Sequence, residues 1–438
     1  MDTRDLIPFA TLVLAGFLAI TSPGGPGPNE RIAQAASSRW TTSVQKKPLD
    51  STVKKGLVWL VSHQHENGGW AQGDESPNMG GSGKLSETTD PDRTGRYSPR
   101  RIPGAPNQLS ETPNVGDTCT AAMALIRAGS MPDRGPYADS VARAVDFVVG
   151  QIEASDPNSL YVTSIRGTRI QMKLGPYVDT FLTSLLLTEV KGHMPDSKRE
   201  QRLRRALNKV LSKIEKNQKQ NGTWDNTGWA PVLSQSLATK SLNRARQSGA
   251  KVSDEALAKA ERYASGQYDR ASGKFKGEGA AGVELYSSGA NLGALQESVT
   301  TNKTREKDLR QIAETSKDMK ARVEARKELA RFRDAEEAHG AAMNSVLKRL
   351  NDDQFIRGFG SNGGEEFLSY MNISESLVVK GGREWEKWDQ AMRNNLGRIQ
   401  NQDGSWTGHH CITGRTFCTA AAVLVLTADR ASSPLASR

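Results

Sequence analysis

Three short segments share one template, and that template constrains the chain more than anything else in it. Gln64-x-x-x-Gly68-x-Trp70, Gln218-x-x-x-Gly222-x-Trp224 and Gln400-x-x-x-Gly404-x-Trp406 lie far apart, yet each follows an amphipathic stretch and leads to an apolar one. Self-similarity of this kind is the mark of a repeat architecture. The residue types suit one turn. Gln in the last turn of a helix offers its amide to backbone groups that the helix leaves unpaired. Gly permits positive φ, and Trp folds back as a large apolar plug between neighbouring units. Looser versions begin at Gln354 and Gln267, and a degenerate one at Gln151.

Periodicity fills in the units. Amphipathic helices are expected near 51–65, 137–153, 198–218, 253–267, 335–353 and 383–401. Each is followed by a helix apolar nearly all round, near 116–129, 176–191, 229–246, 282–297, 364–380 and 414–428. A helix apolar on every side must be buried on every side. The expected fold is therefore all-α, an α/α toroid of six helical hairpins in a closed double ring, spanning residues 50–430. Two stretches interrupt the pattern. Residues 72–113 are rich in Gly, Ser, Pro and Arg and read as a long loop. Residues 301–337 carry dense alternating charge and read as a solvated helical insertion, or alternatively as a surface for a protein partner.

These repeats resemble those of squalene and oxidosqualene cyclases and of protein prenyltransferase β subunits. The resemblance covers roughly residues 50–430. It implies a central cavity at the N-terminal ends of the inner helices, suited to an apolar isoprenoid or lipid-derived ligand. The cyclase acid motif Asp-x-Asp-Asp does not occur; Asp90-Pro91-Asp92-Arg93 comes nearest. Cyclases also line their cavities with aromatics, and 8 Trp, 8 Tyr and 10 Phe are few for that purpose. Prenyltransferases hold zinc with an Asp-x-Cys pair and a His. Here Asp117-Thr118-Cys119 opens the first inner helix, and Gly408-His409-His410-Cys411 precedes the last, which carries Cys418. In the family the Asp-x-Cys pair lies in a late repeat, so the match is displaced around the ring. Toroid closure would still bring the two ends together, and the resemblance implies zinc on Asp117, Cys119 and His410.

A second set of residues falls at the same predicted rim. Glu365 and Glu366 begin the fifth inner helix, which also carries Glu375. Asp179, Glu284 and Tyr286 begin two others, and Arg415 begins the last. On this reading Asp117, Cys119, His410, Cys418, Glu365 and Glu366 carry the chemistry. Arg415, Asp179, Glu284 and Tyr286 orient a substrate, with Arg166 and Arg169 as further cations. Each has a plainer reading too: helix capping for Asp117, core packing for Cys119, a disulfide or core thiols for Cys411 and Cys418, and an Arg415–Glu365 ion pair.

The N-terminal run Leu6–Ile20 is too short to span a membrane comfortably but suits a signal-peptide core. Residues 1–35 thus read as a signal peptide or membrane anchor, and the protein as exported, periplasmic or extracellular. The net charge of +10 favours anionic partners, but no nucleic-acid recognition motif accompanies it. No Cys-Gly-Glu-Gln thioester motif occurs. Two functions follow. One is a prenyltransferase-like or terpene cyclase-like cavity protein. The other is a non-catalytic exported toroid that binds protein partners.

Overall fold

A computed structural model describes residues 44–73, 111–225, 227–360 and 362–431. The N-terminal 1–35 segment and most of the 72–113 loop lie outside them. Among the described residues the chain is all-α, with fourteen α-helices and one two-stranded hairpin, β1 (Tyr268–Asp269) against β2 (Lys274–Phe275).

Six outer helices alternate with six inner ones. The outer set is α1 (Ser51–Ser62), α3 (Ala138–Ala154), α6 (Ser197–Lys216), α8 (Asp254–Gly266), α10 (Met319–Arg349) and α13 (Gly382–Ile399). The inner set is α2 (Val115–Arg127), α5 (Val178–Val190), α7 (Pro231–Gln247), α9 (Glu284–Thr315), α12 (Gly364–Lys380) and α14 (Arg415–Leu426). Two short helices, α4 (Arg169–Leu174) and α11 (Asp353–Arg357), sit in connections. The inner helices pack in a cycle: α2 on α5, α5 on α7, α7 on α9, α9 on α12, α12 on α14, and α14 back on α2. Their burial explains their composition. Nearly every residue of α2, α7, α12 and α14 is buried, Ser and Thr included, because outer helices cover one side and the ring covers the other.

The template turns supply the ties between hairpins. Gln64 Nε2 donates to Gly68 O (2.8 Å) and to Ser140 O on α3 (2.9 Å). Gln218 Nε2 does the same with Gly222 O (3.5 Å) and Ala256 O on α8 (3.1 Å). Gln400 Nε2 reaches Gly404 O (2.8 Å) and Thr52 O on α1 (2.9 Å), joining the last hairpin to the first. Each Gln therefore holds its own turn and the next outer helix at once. Each Trp is buried, and its indole N–H returns to a carbonyl of its own outer helix: Leu60, Ile214 and Leu396 at 2.8, 2.8 and 2.9 Å. The three glycines have φ of +88°, +86° and +90°, and a Cβ on Gly222 would meet the Lys259 carbonyl of α8.

One expected boundary changes. The charged stretch 301–337 is helical and mostly solvated. It is the C-terminal half of α9 and the N-terminal half of α10, which lengthen one hairpin. Its alternating charge is the surface of the hairpin beyond Asn302, where only a thin seam is buried, Ala313, Ala325, Phe332 and Ala335. The looser motifs at Gln267 and Gln354 likewise become the β1–β2 hairpin and α11.

Trp224→Ala should cost about 3–5 kcal/mol in chemical denaturation. Gly222→Ala should cost more than about 1 kcal/mol, since positive φ and a close backbone coincide there. Equal stability of Gly222→Ala and the parent would contradict this account of the turn.

Candidate functional site

The two ends of the ring differ in chemistry. Toward the C-terminal ends of the inner helices, charged side chains fill the centre. Glu375 of α12 meets Arg127 of α2 at 2.7 Å and also Lys240 of α7, which lies 3.2 Å from Asn372 Oδ1. Arg244, one turn beyond Lys240, binds Glu297 of α9 at 2.5 Å. Burial alone would push the Glu375 carboxyl up, but Lys240, Arg127 and Arg244 outweigh it and hold it well below its ordinary range. The space left among these side chains is about 10 Å³, roughly room for one water. This end is an ionic plug. Lys240 and Arg244 at i,i+4 within an inner helix are its sequence signal; their partners on other helices are not readable from the chain order.

At the opposite end, the inner-helix N-termini gather carboxyl groups. Five of the six inner helices start without a side-chain cap, and in three of these, α5, α9 and α12, acidic residues in the first turn complement the exposed N–H groups. Glu366 accepts from Tyr286 Oη (2.6 Å) and from Phe359 N (2.9 Å), both at Oε1. Its Oε2 lies 3.5 Å from His410 Nε2. Glu365 accepts from Ile412 N at 3.1 Å, while its Oε1 has no partner. Burial, with Glu366 adding to it, pushes the Glu365 carboxyl up to about 8. Burial also lowers the His410 imidazole, against the pull of Glu366. Both ring nitrogens of His410 are buried without a hydrogen bond.

The loop between α11 and α12 fits closely around this group. A Cβ on Gly360 would lie 2.7 Å from the His410 ring, and one on Gly363 would lie 2.5 Å from Glu366 Oε2. That is the physical sense of the Gly358-Phe359-Gly360 and Gly363-Gly364 pattern: backbone must pass where side chains cannot. Phe359, 55% exposed, sets its ring edge to both His410 and Trp229. Lys173, buried on α4, faces the Trp229 ring. Lys173, Trp229 and Phe359 carried no signal in the sequence, because loops and the short α4 bring them to the mouth.

The other expected site residues distribute as follows. Asp117 is bonded through Oδ2 to Asn114 Nδ2 (2.7 Å), while Asn114 caps α2 by accepting from Asp117 N (3.0 Å). Asn114, not Asp117, is thus the cap. Burial, then Asp179, raises Asp117 to about 7; burial raises Asp179 to about 6 against its bond from Gln171. Cys119 faces Thr183 of α5 at 3.7 Å, in the core. Cys418 donates to Ile412 O at 3.4 Å. All three cysteines are free thiols, so the disulfide alternative is replaced by core packing for Cys119 and Cys418, and Cys411 adopts φ +57°. Arg415 pairs with Asp403 at 2.8 Å and not with Glu365. Glu284 pairs with Arg349 at 2.5 Å. Among the described residues no three His, Cys, Asp or Glu side chains converge as metal ligands. Asp117 and Cys119 engage different neighbours, and His410 faces Glu366, so the structure does not assemble that trio.

No family model matches the sequence, and no curated protein matches it. Among solved structures, a wild-type glycosidase and a variant of it each align at 12% identity over 87% of this chain and 99% of theirs, with TM-scores of 0.31 and 0.30. Likeness at that level says nothing about activity.

The two ends predict opposite responses. Glu375→Gln leaves Arg127 and Lys240 without their carboxylate partner and should cost about 3–5 kcal/mol. Glu365 keeps its proton to about pH 8 when folded, against an ordinary value of 4.5. Its contribution is therefore complete below pH 4.5 and is lost as pH rises to about 8. Glu365→Gln should flatten the stability profile across that window, measured by denaturant unfolding at stepped pH. An unchanged slope would count against a neutral Glu365.

Proposed function

We propose that the protein binds an apolar isoprenoid or lipid-derived molecule at the mouth formed by the inner-helix N-termini and acts on it by proton transfer, as a terpene cyclase-like or prenyltransferase-like enzyme would. The observation carrying this reading is that a neutral carboxyl, Glu365, and a neutral imidazole, His410, flank the same residue, Glu366, one in sequence and the other in space. Both keep unused hydrogen-bonding atoms in a buried site. Glu365 donates its proton to the substrate, and a His410 nitrogen removes one from the resulting cation. Glu366 stabilises the imidazolium, and Tyr286 and Phe359 N hold Glu366 in place. Phe359 and Trp229 offer aromatic faces to an apolar ligand and its cation. Asp117, Asp179 and Cys418 shape the buried surroundings. The zinc-dependent version, with Asp117, Cys119 and His410 as ligands, is less favoured because these side chains engage separate partners. An exported or membrane-anchored location, from residues 1–35, belongs to the same proposal.

A second reading, a non-catalytic exported ring that binds protein partners, is favoured by the ionic plug filling the centre.

Farnesol is a suitable probe, read by Trp229 fluorescence with Trp229→Phe as the control. Binding should weaken several-fold in Phe359→Ala. Deuterium from heavy water should enter the bound probe in the parent and not in Glu365→Gln. The exchange rate should fall above about pH 8, as Glu365 ionises, and again on the acid side as His410 takes a proton. No binding and no exchange would overturn the ligand reading and leave the partner-binding one.

A further inference from the structure

The α9–α10 hairpin is far longer than the ring needs. Burial in α9 is continuous from Leu285 to Asn302, after which Ala313 alone is buried up to the end at Thr315. At the helical rise per residue, those last 13 residues carry the hairpin about 20 Å past the point where the ring stops covering it. The N-terminal end of α9 carries Tyr286 at the mouth, so the tip lies at the plug end of the molecule.

That tip has an unusual surface. The exposed large apolar side chains among the described residues are Val58, Ile312, Met319, Val323 and Phe359, and three of these five sit together here. Met319 is 64% exposed, and Val323 follows it at i+4 on the same face of α10. Ile312 stands on α9 next to the turn. Around them Lys317, Lys320 and Arg326 are exposed and make no ion pair, whereas Arg310 and Lys327 are already taken by Glu306 and Glu324. Apolar side chains at a convex end, rimmed by unpaired cations that outnumber the exposed carboxylates Glu314 and Asp318 there, have no groove to offer a partner. They match a deformable apolar phase beneath an anionic surface.

We infer that the α9–α10 tip docks on an anionic lipid bilayer, with Ile312, Met319 and Val323 entering the interface and Lys317, Lys320 and Arg326 meeting lipid headgroups. The ring would then stand on the membrane by its plugged end, with the mouth turned to water. This inference does not depend on what the mouth binds.

The test is vesicle co-sedimentation of the full chain, comparing phosphatidylcholine alone with phosphatidylcholine mixed with phosphatidylglycerol. Binding should require the anionic lipid and weaken with added salt. Replacing Lys317, Lys320 and Arg326 together by Gln should reduce partitioning by roughly tenfold or more, and Met319→Ser with Val323→Ser by several-fold. All five positions are exposed, so unchanged thermal unfolding will show that each variant is folded. Equal binding of the parent and both variants would place the contact elsewhere and overturn the inference. Loss in the charge variant alone would also overturn it, since the attraction would then be electrostatic without insertion. No binding to either vesicle would do the same.

Discussion

The fold depends on one side-chain amide used twice. A Gln at the end of an outer helix donates one N–H to the turn below it and the other to the next outer helix. Each contact alone is a modest hydrogen bond, worth about 1 kcal/mol. Together they fix the angle between successive hairpins, and a ring closes only if those angles add up. The bond from Gln400 to Thr52 shows the sum working out, since it joins residues at opposite ends of the described chain. Trp406 fills the same corner and Gly404 lets the backbone pass beneath it. A local motif thereby carries a long-range constraint.

Closure also creates the chemical difference between the two ends. Parallel inner helices place all their N-termini at one end and all their C-termini at the other. Carboxyl groups collect where unpaired N–H groups point, and burial there makes Glu365, Asp117 and Asp179 hold their protons more tightly than free carboxyls do, with a neighbouring carboxyl adding to it for Glu365 and Asp117. At the other end the centre is occupied by Arg127, Lys240 and Arg244 locked to Glu375 and Glu297. Buried ion pairs are poor sources of net stability against apolar packing. Their effect here is to fill that end of the ring.

The mouth itself is assembled from loops. Gly358, Gly360 and Gly363 let the α11–α12 loop press against Glu366 and His410, and the same loop presents Phe359 to Trp229. Gly358 and Phe359 belong to the looser copy of the template that begins at Gln354, and the others stand outside it. The helices supply the carboxyls at fixed positions, and the loops supply the imidazole, the aromatics and the Lys173 cation.

The sequence by itself determined the six outer and six inner helices, their alternation, and the three turns, because these are short-range properties of periodicity and of Gln, Gly and Trp. It also placed Glu365, Glu366, Tyr286, His410 and Cys418 at one end of the ring, since position along a helix fixes which end a residue occupies. Only the tertiary structure decided which of them meet. Arg415 turned to Asp403, Glu284 to Arg349 and Cys119 into the core, while Glu366 found Tyr286 and His410. The reason is rotational: a few tens of degrees about a helix axis separate a side chain facing the mouth from one facing a neighbour. That angle is set by packing around the whole ring. The same limit applies to the α9–α10 hairpin, where charge density marked solvent exposure but only the paired helices showed how far it reaches.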